Sequence, residues 1–332
     1  MIINDMMPPF ELYQPVGLKD ACGLLDRFGG DGWKLAGGND SLDWFKARIK
    51  RPKAVIDLTA IKELAGIRPT ADGLEIGATT TLAAIARDPT IRSRFRLLAE
   101  AASAVASPQI RATGTIGGNI AQHARCWYYR SGLACYRAGG DRCFADRPDS
   151  VTREHALFDA GRCKTVNPSD LAPVLAALEA RMVLSSSKGQ RVVGPDEFFT
   201  PVETDVTSLN CIRPEEILVS IRLPGAWAGV HFYFEKAADR QVWDFALVNV
   251  AAAIALGGGR IERARIVCGA VSATPKRLPA VEAAIVGRPI GEDTAKLAAQ
   301  LATRGAQPLT YNGFKVPLMA GLVMRAVRDA HA

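Results

Sequence analysis

Apolar positions along the chain switch between a period of two and a period near 3.6, and the switches outline its elements. Residues 33–36 read as a short strand running into Gly37-Gly38, after which Leu42, Phe45 and Ile49 share one helical face. Residues 54–58 (AVIDL) and 74–78 read as further strands, and 82–86 and 97–105 as helices. Between Asn119 and Pro168 the periodicity vanishes into a stretch rich in Arg, Asp, Gly and Cys. Irregular chain of that length inside a compact domain signals a functional segment. Order returns at Ser169-Asp170, a polar pair suited to cap a helix through Ala180 with Leu171, Val174, Leu175 and Leu178 on its apolar face. Residues 182–184 and 190–193 flank Lys188-Gly189 as a hairpin, and 217–223 alternate as a strand. Beyond Pro224-Gly225 come strands at 230–235, 245–256 and 265–270, then helices near 277–286, 292–303 and 314–329. Strands followed by helices predict helices packed on an antiparallel sheet. The fold class expected is α+β. A compact α/β unit occupies 1–60, a second unit 61–224 carries an insert at 120–168, and an α+β domain fills 225–332.

Composition narrows the function classes. With 332 residues, 48% of them hydrophobic, the chain can bury more than one core, and its 23% charged content gives no disordered tract. The net charge of +7 comes without a dense Lys/Arg block, which argues against a nucleic-acid binder and leaves room for an anionic cofactor or an acidic partner. The longest apolar run, 245–256, is 12 residues interrupted by Asn249, too short to span a bilayer. The opening MIINDMMPPFELYQP has neither a basic nor an apolar leader region and no twin arginine. The expectation is therefore a cytoplasmic protein by default, periplasmic only if carried out by a signal-bearing partner.

Two glycine loops suit phosphate binding. The first, Leu35-Ala36-Gly37-Gly38-Asn39-Asp40-Ser41-Leu42 after Lys34, joins a strand to a helix. The second, Thr113-Gly114-Thr115-Ile116-Gly117-Gly118-Asn119, follows Ser107-Pro108-Gln109-Ile110-Arg111. Glycines let backbone N–H groups approach an anion closely. Neither loop is a Rossmann fingerprint or a P-loop. Alone, the first reads more readily as a Gly turn with Asn39, Asp40 or Ser41 capping a helix, and the second equally well as a tight turn in a buried segment, but two Gly-Gly-Asn loops together suggest a pyrophosphate held between them. Asn167-Pro168-Ser169-Asp170 is a helix cap whose Asp170 can also accept a hydrogen bond from a ribose hydroxyl. His123, His155, His231 and His331 form no ligand pair, and no bond-breaking triad or carboxylate pair is evident, as suits a chain whose chemistry belongs to its cofactors.

Of seven cysteines, Cys126, Cys135, Cys143 and Cys163 fall in one 38-residue window, where even spacing would place fewer than one. Cys22, Cys211 and Cys268 sit in apolar surroundings and read as structural thiols. The C-x8-C-x7-C-x19-C spacing lacks a C-x2-C pair, and by itself leaves an iron–sulfur cluster, zinc and unligated thiols all open. Trp127, Tyr128, Tyr129, Tyr136 and Phe144 lie between the cysteines and could shield a cluster from water.

The ordered set AGGNDSL, ASPQIRATGTIGGNIA, PSDLAPVLAAL, PEEILVSIRLP and FEKA resembles the FAD-binding medium subunit of the xanthine dehydrogenase, aldehyde oxidoreductase and carbon monoxide dehydrogenase family over essentially the whole chain. The cysteine-bearing insert, where most members have a short connection, resembles the flavin subunits of periplasmic aldehyde oxidoreductase and 4-hydroxybenzoyl-coenzyme A reductase, the former more closely. The resemblance implies a two-part FAD domain of the vanillyl-alcohol oxidase/PCMH type followed by an α+β C-terminal domain. It implies FAD on Lys34 to Leu42, on Ala106 and on the loop holding Thr115, Gly117, Gly118 and Asn119. Asp170 would meet the ribose, and Leu218 and Lys236 the adenine or isoalloxazine. It implies a [4Fe-4S] cluster on Cys126, Cys135, Cys143 and Cys163. The implied partners are a large molybdenum-cofactor subunit, a small subunit with two [2Fe-2S] clusters and a soluble electron acceptor. Substrate, an aldehyde or N-heterocycle, is oxidised at molybdenum elsewhere. Asn39 stands where many members have Thr, and Val105 where some place an aromatic against the flavin. The competing readings are a free-standing flavin oxidase of the same fold and a zinc-stabilised assembly module.

Overall fold

The computed structural model describes residues 6–330, so the first five residues of the leader reading and His331 lie outside the described residues. Three sheets follow one another along the chain. The first is parallel, with β1 (Glu11–Tyr13), β2 (Gly32–Leu35) and β3 (Ala54–Asp57) in the order β1-β3-β2. The helix Leu18–Phe28 connects β1 to β2 and buries Ala21, Cys22 and Leu25 beside Ile56. This helix carries its apolar residues on one stripe, as a helix lying against a sheet must.

The second sheet is antiparallel. It contains β4 (Ile67–Thr70), β5 (Gly73–Gly77), β6 (Arg181–Ser186), β7 (Gly189–Val193) and β8 (Ile217–Pro224), in the order β4-β5-β8-β6-β7. Thus β8 slots between β5 and β6, two strands separated in sequence by more than a hundred residues. The third sheet, also antiparallel, runs β12-β11-β10-β9, with β9 at His231–Ala237, β10 at Val248–Gly257, β11 at Arg260–Gly269 and β12 at Lys276–Arg277.

Alternation along β10 explains its unbroken apolar run. Ala251 and Ala253 face a core shared with the helices Arg96–Ala104 and Ala172–Ala177 and the second sheet. Val250, Ala252 and Ile254 face the opposite way, onto the helices Pro279–Ile285, Glu292–Ala302 and Lys315–Arg328. A strand covered on both faces has no polar side to show. The α+β expectation holds, with 33% helix and 22% strand.

Several boundaries differ from the sequence reading. The strand expected from residue 245 starts at Val248, because Trp243 adopts a positive φ of 77° and its N–H bonds the Ala106 carbonyl (3.0 Å), turning the chain before it extends. The expected Ser169-Asp170 cap divides its labour. Ser169 Oγ accepts from the Ala172 N–H (3.0 Å), whereas Asp170 turns into the protein. That helix ends at Ala177, since Leu178 and Glu179 leave the helical path and Glu179 takes a positive φ. The insert at 120–168 is irregular apart from a helical turn at Trp127–Arg130 and a 3-10 turn at Tyr136–Ala138. It has a core nonetheless: Ala124, Tyr129, Cys135 and Cys163 pack with Trp44, Phe45 and Val55 of the first unit.

Candidate cofactor cavity and cysteine site

The two glycine loops meet. A Cβ at Gly37 would lie 2.2 Å from the Thr113 carbonyl oxygen, and one at Gly117 would lie 2.8 Å from Ala78. Only glycine permits either approach. Asn39 Nδ2 donates to Thr113 Oγ1 (3.1 Å), so a side chain of the first loop fastens it to the second. The second loop is a short helical turn, Ile116–Ile120, with Thr115 Oγ1 accepting from the Gly118 N–H (3.0 Å). Asn119 Oδ1 in turn accepts from Ser169 Oγ (2.6 Å), which joins that turn to the helix cap.

Between the loops lies a cavity of about 370 Å³. The 36–41 loop, Lys34, Ala106, Thr115, Gly117, Gly118, Asn119, Asp170 and Leu218 all line it, while Leu35, Leu42 and Lys236 do not. Polar side chains in this group are committed elsewhere in the fold. Lys34 Nζ donates to the carbonyls of Arg213, Pro214 and Glu216 (3.0 Å each), and burial pushes its pKa down to about 8. Ser41 Oγ accepts from the Trp33 indole (2.9 Å). Asp170 is paired with Lys236 (2.6 Å) and accepts from Asn249 Nδ2 (2.9 Å), both within the fold. The loops therefore present the cavity mainly with backbone, the surface that suits a pyrophosphate. Their fit to FAD rests on that cradle, whose close approach a Cβ at Gly37 or Gly117 would break.

The sequence reading missed the other wall. Trp33, His123, Arg125, Ser208, Asn210, Trp243 and Phe245 also line the cavity. Trp243 and Phe245 are exposed aromatics at 60% and 43%. His123 stacks on Trp33 (5.5 Å between centroids), and burial pushes its pKa down to about 4, so the ring is neutral at pH 7. Trp33, His123 and Arg125 flank the two loops without a pattern of their own, and Ser208, Asn210, Trp243 and Phe245 arrive from distant segments.

The four clustered cysteines line a second, small cavity with Tyr128, Tyr129, Tyr136, Phe144, Arg137, Arg162 and Lys164. All four are free thiols. Among the described residues no three His, Cys, Asp or Glu side chains converge as a ready-made metal-binding group. Burial pushes Cys126 up to about 11 and raises Cys143. Backbone groups of Tyr128 and Tyr129 hydrogen-bond Cys126, those of Ala145 and Lys164 hydrogen-bond Cys143, and His155 Nε2 lies 3.3 Å from Cys126 Sγ. Beside the thiols Arg137 is only 3% exposed, and none of its three guanidinium nitrogens has a hydrogen-bond partner. A buried cation without an acceptor is costly. The four thiols thus share one small space with a buried guanidinium whose nitrogens make no hydrogen bond.

Comparison with known proteins follows the same division of the chain. A family model for the FAD binding domain in molybdopterin dehydrogenase matches residues 8–226, and one for the CO dehydrogenase flavoprotein C-terminal domain matches 233–330. The chain is similar to the aldehyde oxidoreductase FAD-binding subunit PaoB of Escherichia coli (30% identity, covering 90% of this chain and 91% of PaoB). It is similar also to the carbon monoxide dehydrogenase medium chain of Hydrogenophaga pseudoflava (28%, covering 98% and 99%). In structure it resembles the Hydrogenophaga pseudoflava carbon monoxide dehydrogenase lacking the Mo-pyranopterin moiety (TM-score 0.78, 29% identity, 98% of each chain). It also resembles quinoline 2-oxidoreductase of Pseudomonas putida 86 (TM-score 0.76, 27%, 98% of each chain). With both family models in chain order over nearly its whole length, the chain belongs to the FAD-binding medium subunits of the molybdenum hydroxylase family.

Proposed function

We propose that this chain is the electron-transfer subunit of a three-part molybdenum hydroxylase. In this reading it holds FAD between its glycine loops and a [4Fe-4S] cluster on Cys126, Cys135, Cys143 and Cys163. The flavin supplies an exchange between single-electron carriers and a two-electron acceptor. The chain's own residues hold it. The backbone at Gly37, Gly38, Gly117 and Gly118 would cradle the pyrophosphate, Leu218 and Ala106 would border its rings, and the neutral His123–Trp33 stack would close one wall. Lys236 would act through Asp170, keeping that carboxylate fixed at the cavity edge. Electrons would arrive from a small subunit with two [2Fe-2S] clusters, after oxidation of an aldehyde or N-heterocycle at a large molybdenum subunit, and leave to a soluble acceptor. The names of relatives support that range: aldehyde oxidoreductase and caffeine dehydrogenase subunits are among them.

The observation that carries the cluster assignment is Arg137. Four thiolates around a cluster core carry net negative charge, which would neutralise a guanidinium whose nitrogens otherwise make no hydrogen bond. Hydrogen bonds from backbone to Cys126 and Cys143 are of the kind that stabilise ligating thiolates. Aromatic rings on several sides favour a cluster kept from water.

The test is iron, sulfide, zinc and FAD per chain on anaerobically purified protein. Expected are about four irons and sulfides and one FAD, with iron lost in Cys→Ser variants at 126, 135, 143 and 163. Zinc at about one per chain would replace the cluster reading, and turnover by the isolated chain would favour a free-standing oxidase.

A further inference from the structure

We infer that Asp40 is a positioning residue through which the cysteine-bearing insert holds the first glycine loop in its FAD-binding shape. Asp40 directly follows Gly37-Gly38-Asn39, yet its carboxylate makes four contacts away from the loop. Oδ1 is ion-paired with Arg125 Nη2 (2.9 Å) and accepts from Arg130 Nη2. Oδ2 accepts from the His123 N–H (3.0 Å) and the Trp44 indole (3.2 Å). Three of these donors belong to the insert, more than eighty residues along the chain.

Charge gives the arrangement its direction. A carboxylate left beside the glycine backbone would repel the phosphates bound there. Two guanidiniums draw it to the insert instead, and although burial opposes ionisation, they hold its carboxyl below the usual range. Both cations are themselves fixed. The Arg130 guanidinium lies 3.7 Å over the Trp44 ring, and Arg125 lies 4.7 Å over Phe245, at the cavity wall. At Asp40, therefore, the loop's shape depends on residues 123–130 keeping theirs. Linkage makes the dependence reciprocal: a folded insert favours FAD, and bound FAD favours a folded insert. The inference rests on the FAD reading and not on what the four cysteines hold.

The experiment uses the full chain stripped of flavin and titrated with FAD, following flavin fluorescence, as wild type, Asp40→Asn, Arg130→Gln and the double variant. Each single change should weaken FAD binding about tenfold or more, as loss of a charge-assisted contact does, and the double should be no worse than the weaker single. Amide hydrogen exchange in the wild type reads the reverse direction: adding FAD should slow exchange at residues 123–130. That readout needs no variant to fold. Affinities within twofold of wild type, additive losses in the double variant, or no FAD-dependent protection at 123–130 would each overturn the inference. A wild-type chain that does not bind FAD at all would instead overturn the reading beneath it.

Discussion

Replacing Gly37 by Ala probes the contact between the two glycine loops most directly. The added Cβ would stand 2.2 Å from the Thr113 carbonyl oxygen and 2.8 Å from its carbonyl carbon. These are backbone atoms that cannot rotate aside. Ordinary contact needs roughly 3.3 Å or more, so the loops must part by about 1 Å. The first casualty is the Asn39–Thr113 hydrogen bond, now 3.1 Å and worth about 1 kcal/mol net. Overpacking adds about 1–3 kcal/mol of strain. Two walls proposed to grip one anion would also lose their spacing, and a hydrogen bond to a charged group contributes about 1.5–3 kcal/mol. Losing the equivalent of one such bond raises the FAD dissociation constant by roughly ten- to a hundredfold. Flavin fluorescence titration of the stripped protein measures this, with thermal unfolding alongside. Gly23→Ala is the control. It sits on the exposed side of the helix Leu18–Phe28 with nothing within 4 Å of an added Cβ, so the same chemical change should stabilise by up to about 1 kcal/mol and leave FAD binding alone. A Gly37→Ala protein that unfolds normally and binds FAD within twofold of wild type would refute the idea that the loops act as one cradle.

Other consequences follow from buried charge. Lys236→Met strands Asp170, whose side chain is 4% exposed, and should cost about 3–5 kcal/mol in urea denaturation, with most of it recovered by adding Asp170→Asn. His123 has a folded pKa of about 4 against an ordinary 6.5, so the folded state binds fewer protons. Its contribution to stability is complete above about 6.5 and is lost as the pH falls toward 4, by up to about 1.4 kcal/mol per unit. A His123→Asn variant should show a shallower slope in denaturation midpoints across that window. If the proposed cluster binds, Arg137→Met should change sign with metal content: the metal-free protein gains about 1–3 kcal/mol by losing a buried cation whose nitrogens make no hydrogen bond, while iron retained per chain falls. Equal melting temperatures and unchanged iron would count against the guanidinium as the cluster's counter-charge.

What the sequence determined by itself was local. A glycine pair between a strand and a helix needs no tertiary knowledge to read, and AGGNDSL and GTIGGN do line one cavity. The helices at Arg96–Ala104 and Lys315–Arg328 follow from apolar spacing that buries one face each. The crowding of four cysteines into one window was likewise plain before any fold was known, and all four border one space. What each side chain does there was decided only by the tertiary structure. Lys34 looks like a phosphate ligand in sequence, but its ammonium is held by carbonyls some 180 residues away. Asp40 and Asp170, which the resemblance assigns to the cofactor, both line the cavity, and there Arg125 and Arg130 pair with the one and Lys236 with the other. Trp243 lies in a stretch to which the sequence assigned no element, and its bond to the Ala106 carbonyl brings it into the cavity lining. The physical reason is one of range. Hydrophobic period and glycine content act between neighbours and fix what an element is, whereas desolvation forces each buried charge to find a partner, and that partner is chosen by whichever distant segment packing brings alongside.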